Sequence, residues 1–232
     1  SVLGSAVSGR LLPGGGNSGG ASGTTGGPAQ VAFISYAGTD GGLPSASCCG
    51  VIRIIDGKTC SQLYSLDDHF VVGGGNLALG DLNEDGLPEI VAMAEGGGLV
   101  AFHYVPENYG YEVLWTSTQA DGTPDTFPGS GLYRWAGPSI ADIRGDGRPE
   151  ILLDGAIYSA DGVLLSAFPG WSGYQQGVFP VVADADMDGK PDVFFGPQPY
   201  EVFEEGQTLV AKAGYQGSAT PGHIALADFG AI

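Results

Sequence analysis

The stretch Asp184-Ala185-Asp186-Met187-Asp188-Gly189-Lys190-Pro191-Asp192 sets three carboxylates at alternate positions and a fourth just beyond a glycine. A backbone that curls at Gly189, where positive φ meets no side chain, brings Asp184, Asp186 and Asp188 into one small volume, and Asp192 closes it. Four acids so close repel one another unless a hard cation lies among them. Oxygen ligands alone, with the backbone carbonyl of Lys190 as a further donor, suit Ca²⁺ far better than Zn²⁺. The chemistry implied is calcium binding.

The same text stands twice upstream. Asp81, Asn83, Asp85 and Glu89, with the carbonyl of Leu87, form one copy, and Asp142, Asp146 and Glu150, with the backbone of Arg148, form the other. Two to three calcium ions are therefore expected. In the middle copy Arg144 stands at the third ligand position, where a guanidinium cannot coordinate a cation. That turn either binds weakly or is neutralised by the arginine itself.

Short apolar runs flank each copy, Leu77 to Leu79 and Ile90 to Ala94 around the first, so each is a strand-loop-strand unit. An EF-hand needs flanking helices and a bidentate Glu at the twelfth position, whereas the closing acid here is ninth. After each unit comes an apolar run, a turn and another run, as at Gly50 to Ile55 and Ser61 to Ser65 around Asp56-Gly57, which is a hairpin. Each unit thus reads as four strands. The shorter interval between loops matches the about 40 to 50 residues of a propeller blade, and the longer one carries insertions at 104–111 and 120–130.

The pattern DxDxDGxxD leading into a strand, repeated at blade-like intervals, resembles the FG-GAP and VCBS repeats of calcium-binding β-propellers, as in integrin α-subunit heads and related bacterial surface proteins. The resemblance covers about Asn76 to Ile232. It implies an all-β, β-propeller-like array of about four four-stranded blades over residues 28–232, and a calcium-stabilised extracellular or cell-surface module for adhesion or structural assembly.

Composition agrees. Glycine contributes 42 of 232 residues, without the period of collagen, and signals many tight turns between short strands. Eight basic against 26 acidic residues give a formal charge of −18, which speaks against nucleic acid and anionic membrane as partners. No apolar run approaches the roughly 20 residues that span a bilayer, so membrane insertion is not expected. The partners implied are other copies of the chain, a surface protein or a glycan. For the last, Trp171 and Tyr174 in a glycine-rich stretch are the candidate contacts.

Residues 1–27 read as an N-terminal arm and a Gly/Ser-rich loop, so the first unit lacks its leading strand while His223 to Ala227 lacks a unit to follow. Intramolecular closure, strand completion between subunits giving homo-oligomers or filaments, and truncation all remain open. Calcium-rich surroundings are oxidising, and a disulfide from Cys60 to Cys48 or Cys49 is expected, with three reduced cysteines as the alternative. The sequence holds no Gly-x-Ser-x-Gly, His-Glu-x-x-His or phosphate loop, and its three histidines fall in different units. The chain is accordingly not expected to be an enzyme.

Overall fold

The computed structural model describes residues 7–9, 29–36, 50–126, 136–167, 179–184, 187–195, 198–203 and 208–211. Among them the protein is all-β, with sixteen strands in four antiparallel sheets of four. The first sheet comprises β1 (Val7–Gly9), β2 (Gln30–Tyr36), β3 (Gly50–Asp56) and β4 (Gln62–Val71). The second comprises β5 (Ala78–Gly80), β6 (Glu89–Met93), β7 (Leu99–Val105) and β8 (Gly110–Thr116). The third runs through β9 (Ser139–Ala141), β10 (Glu150–Leu153), β11 (Ala156–Tyr158) and β12 (Leu164–Ala167), and the fourth through β13 (Val181–Ala183), β14 (Asp192–Phe195), β15 (Gln198–Phe203) and β16 (Thr208–Ala211). In every sheet sequence neighbours are spatial neighbours, an up-and-down meander.

The first sheet corrects one expectation. Residues 7–9, assigned to an arm without a partner, pair antiparallel with β2, Val7 opposite Ala32 and Gly9 opposite Gln30. The first unit therefore has its own leading strand, and the gap that motivated completion by the C-terminal segment or by another copy is filled. A three-residue strand leaves little trace in sequence, and twenty residues separate it from its partner. The stretch 223–227 lies outside the described residues.

Successive sheets stack face to face, and strand alternation explains how. The central strands β6 and β10 are buried along their whole length because their odd and even residues serve different cores. Ile90 and Ala92 of β6, with Val100 and Phe102 of β7, join Ile34, Ile52 and Ile54 of the first sheet. Val91 and Met93, with Leu99 and Ala101, face the other way and meet Ile151, Leu153 and Tyr158 of the third sheet. Leu152 and Ile157 in turn meet Val193 and Phe195 of the fourth. The leading strands touch in series, β1 against β5 and β5 against β9, while β4 lies against β8 and β12 against β16. Gly80 makes the β5–β9 approach possible, since a Cβ there would fall 2.8 Å from Ile140 Cγ2.

The second and third sheets are also tied by polar groups. Thr118, just past β8, donates its N–H to Gly162 O and accepts at its own carbonyl from Leu164 N–H, and Trp115 Nε1 donates to Ala160 O at 3.0 Å. The inserted loop folds back so that Asp125, 5% exposed, accepts from Tyr158 Oη (2.8 Å), Ser117 Oγ (3.2 Å) and Gln119 Nε2 (2.6 Å). Burial and the Asp125 charge push the Tyr158 phenol far above its ordinary pKa, so it remains a donor. Asp125→Ala strands buried donors on both sheets, and urea titration is expected to show a loss of about 1–3 kcal/mol.

Candidate metal-binding turns

The three acidic turns join the first two strands of the second, third and fourth sheets, and each closes on the same backbone frame. The first-position aspartate accepts the N–H groups of the fifth and sixth residues. Asp81 takes those of Asp85 (3.1 Å) and Gly86 (2.9 Å), Asp142 those of Asp146 (3.2 Å) and Gly147 (2.8 Å) together with Gly145 (2.7 Å), and Asp184 those of Asp188 (3.0 Å) and Gly189 (2.8 Å). Bonding to Gly147 N–H foremost holds the Asp142 carboxyl below its usual range. The fifth-position aspartate then accepts from the seventh residue, through the N–H of Leu87 (2.7 Å), Arg148 (2.9 Å) and Lys190 (2.9 Å). The glycine at position six has φ of 85° to 89° in all three, as its sequence position requires.

A second left-handed residue escaped the sequence reading. Position four also has positive φ, at Glu84 (62°), Gly145 (69°) and Met187 (60°). The one glycine among the three, Gly145, was the available signal.

The ninth-position acid is the first residue of a central strand, and it is buried: Glu89 is 1% exposed, Glu150 0% and Asp192 2%. Strand pairing fixes its height, since Glu89 lies opposite Gly80, Glu150 opposite Ala141 and Asp192 opposite Ala183. One oxygen is held by the backbone. Leu82 N–H donates to Glu89 Oε2 (2.7 Å) and Ile143 N–H to Glu150 Oε2 (3.1 Å), while the Leu82 and Ile143 side chains plug the cores below.

The other oxygen faces the third-position side chain, and here the turns differ. In the β5–β6 turn Asn83 Nδ2 lies 3.1 Å from Asp85 Oδ2 and 3.2 Å from Glu89 Oε1. Burial foremost, with the charges of Asp85 and Asp81 adding to it, pushes the Glu89 carboxyl up to about 7. Asn83 Oδ1 accepts the N–H of Asp85 at 2.9 Å. A hard divalent cation among these oxygens would relieve the repulsion once the Asn83 amide gave up that bond and turned its oxygen inward. In the β9–β10 turn Arg144 Nε meets Glu150 Oε1 at 2.5 Å and Arg144 Nη2 meets Asp146 Oδ2 at 3.3 Å. A metal does not fit there, because a guanidinium already spans the two acids. In the β13–β14 turn Asp186, the third-position residue, lies outside the described residues, and Asp184, Asp188 and Asp192 take the same places as in the other two. Among the described residues no three His, Cys, Asp or Glu side chains are gathered closely enough to hold a metal unaided.

The other site residues fare unevenly. The Arg148 side chain points away from the acids, its Nη2 3.3 Å from both oxygens of Asp161. Trp171, Tyr174, Cys48 and Cys49 lie outside the described residues. Cys60 is exposed and its thiol is free, which corrects the expected disulfide. Its N–H is bonded to Asp56 O just beyond the end of β3. Among the described residues no helix is long and apolar enough to cross a membrane.

Residues 81–153 carry an FG-GAP-like repeat, the family that matches them, so the resemblance read from the acidic turns holds for this stretch. The crystal structure of the V. cholerae biofilm matrix protein Bap1 is similar to this chain with a TM-score of 0.63 and 20% identity, over 90% of this chain and 30% of that one. The exotype rhamnogalacturonan lyase YesX matches at a TM-score of 0.46 and 17% identity, over 76% of this chain and 32% of that one. The Bacillus licheniformis rhamnogalacturonan lyase PL11 matches at 0.45 and 19%, over 76% and 33%. No curated protein matches the chain. The chain spans about a third of the length of these structures. The expectation that the chain is not an enzyme does not stand: it rested on missing sequence motifs, and those do not exclude an activity.

Native protein treated with a maleimide without prior reduction should be labelled on the peptide carrying Cys60, as peptide mapping by mass spectrometry will report. Labelling that requires a reductant would mean that Cys60 is paired.

Proposed function

We propose that the chain is a calcium-stabilised extracellular module for adhesion or structural assembly, its four sheets arranged as blades of a propeller-like array. The observation that carries this reading is the repeated turn, with one backbone frame and a buried acid at the head of each central strand. The FG-GAP-like repeat at 81–153 and the likeness in fold to a biofilm matrix protein support it. Calcium belongs to the turns of Asp81 to Glu89 and Asp184 to Asp192, two ions in all, with a structural role. Each ion fastens a three-residue leading strand to the strand that follows. The partner is another copy, a surface protein or a glycan, and the surface charge disfavours nucleic acid.

A second reading, glycan binding, is favoured by a cleft of about 230 Å³ between β4 and β8. Tyr64 and Tyr111, with ring centroids 5.4 Å apart, line it together with His69, Asp68 and Glu112. Rings beside carboxylates are the groups that stack on and hydrogen-bond a sugar.

Chelation is expected to lower the melting temperature, with millimolar Ca²⁺ restoring it, because a ligand at about 100 times its Kd adds about 2.7 kcal/mol. Scanning calorimetry with and without chelator reads this, and identical melting in both refutes the calcium role. For the cleft, Tyr64→Ala is expected to reduce binding on a glycan array at least about tenfold, the loss of about 1.4 kcal/mol. An array on which the unaltered chain binds nothing removes that reading.

A further inference from the structure

We infer that Arg144 is a built-in cation, standing in the β9–β10 turn where the other two turns take a metal, so that the third sheet is closed without calcium. The contrast between turns rests on the calcium reading above; the role of the arginine rests on the geometry of its own turn.

The turns correspond position by position, apart from one backbone bond particular to each, Asp85 N–H to Asn83 Oδ1 in one and Gly145 N–H to Asp142 Oδ1 in the other. First-position Asp, fifth-position Asp, sixth-position Gly and buried ninth-position acid are common to the β5–β6 and β9–β10 turns, and so are the N–H bonds that hold them. The third residue is the one inward-facing group that changes. Asn83 is neutral, so three carboxylates there face no positive side chain within the turn. Arg144 brings one positive charge to the same two oxygens that Asn83 touches, Oδ2 of the fifth-position acid and Oε1 of the ninth.

The pairing is not a surface ornament. The Glu150 side chain is 1% exposed and that of Arg144 is 30% exposed. A carboxylate this deeply buried must be matched by charge or donors, and a planar guanidinium can bond two acids at once where an ammonium offers a single point charge. A divalent ion entering this turn would first have to displace it. The third sheet also lies between two cores, shared with the second sheet on one face and the fourth on the other. Loss of calcium therefore loosens the sheets on either side of one that keeps its counter-charge, and regulation by calcium acts on the neighbours of a constant middle.

Hydrogen exchange of the full chain, followed by mass spectrometry in millimolar CaCl₂ and in chelator, tests this. In the unaltered chain Ca²⁺ is expected to slow exchange across 81–89 and leave 142–150 unchanged. Arg144→Asn, which gives this turn the third residue of the β5–β6 turn, is expected to speed exchange at 142–150 at least about tenfold in chelator and to make it respond to Ca²⁺. Calcium protection of 142–150 in the unaltered chain, or exchange there indifferent to Arg144→Asn in chelator, overturns the inference. Should Arg144→Asn fail to fold, Arg144→Lys decides: partial loss of protection with no calcium response supports it, and a calcium response overturns it. A silent 81–89 turn in the unaltered chain defeats the calcium reading alone, because the arm in chelator still decides the role of Arg144.

Discussion

A carboxylate buried at the head of a central strand is the constraint on which this structure turns. Glu89, Glu150 and Asp192 open β6, β10 and β14, strands enclosed on both faces, at a height fixed by pairing with the strand before. An ionised group in such a place is tolerated only when donors or an opposite charge meet it. The turns before Glu89 and Glu150 supply the donor, a backbone N–H from the second residue, and in the latter turn Arg144 supplies the charge. The leading strands are only three residues long, too short to hold themselves, and they reach the sheet through these turns. What satisfies the buried acid also anchors the leading edge of the sheet.

The second consequence is that the sheets cannot be independent. Period-two alternation in β6 and β7 divides their side chains between a core shared with the first sheet and a core shared with the third, and β10 and β11 repeat the division one sheet further on. Among the described residues no sheet has a core of its own, which is the energetic logic of stacked repeats. The Asp125 and Thr118 bonds add a polar tie where the inserted loop crosses from the second sheet to the third. The insertion that lengthens one repeat is therefore built into the junction between sheets.

Much of this was open to a reader of the sequence. The three acidic turns, the flanking strands, the hairpins and the all-β class follow from carboxylate spacing, glycine position and alternation, because those are local rules that each repeat obeys by itself. Non-local features were not open. Residues 7–9 become a strand only because β2 presents an edge to them, and a run of three cannot announce that. Asp125 reads as part of a polar insertion until Tyr158, thirty-three residues on, is seen to donate to it. Cys60 stands close to Cys48 and Cys49 by number, yet its thiol is free. The fourth-position left-handed residues were hidden because Glu84 and Met187 do not look like turn formers, although Gly145 held the clue.

The oxygens of each acid explain why the third position can change without redirecting the chain. One oxygen of the fifth-position aspartate accepts the seventh N–H, one oxygen of the ninth-position acid accepts the second N–H, and both oxygens of the first-position aspartate take backbone bonds. These bonds set the path of the turn. They leave the remaining oxygens at positions five and nine turned toward the third residue, with lone pairs still unused on the first. Backbone capping and counter-charge thus draw on different atoms. The third residue adds only a local adjustment to this frame: Asn83 Oδ1 accepts the N–H of Asp85 at 2.9 Å, whereas in the arginine turn Gly145 N–H reaches Asp142 Oδ1 at 2.7 Å. The same fold can then carry a turn closed by its own arginine between others whose third residue is an amide or an acid.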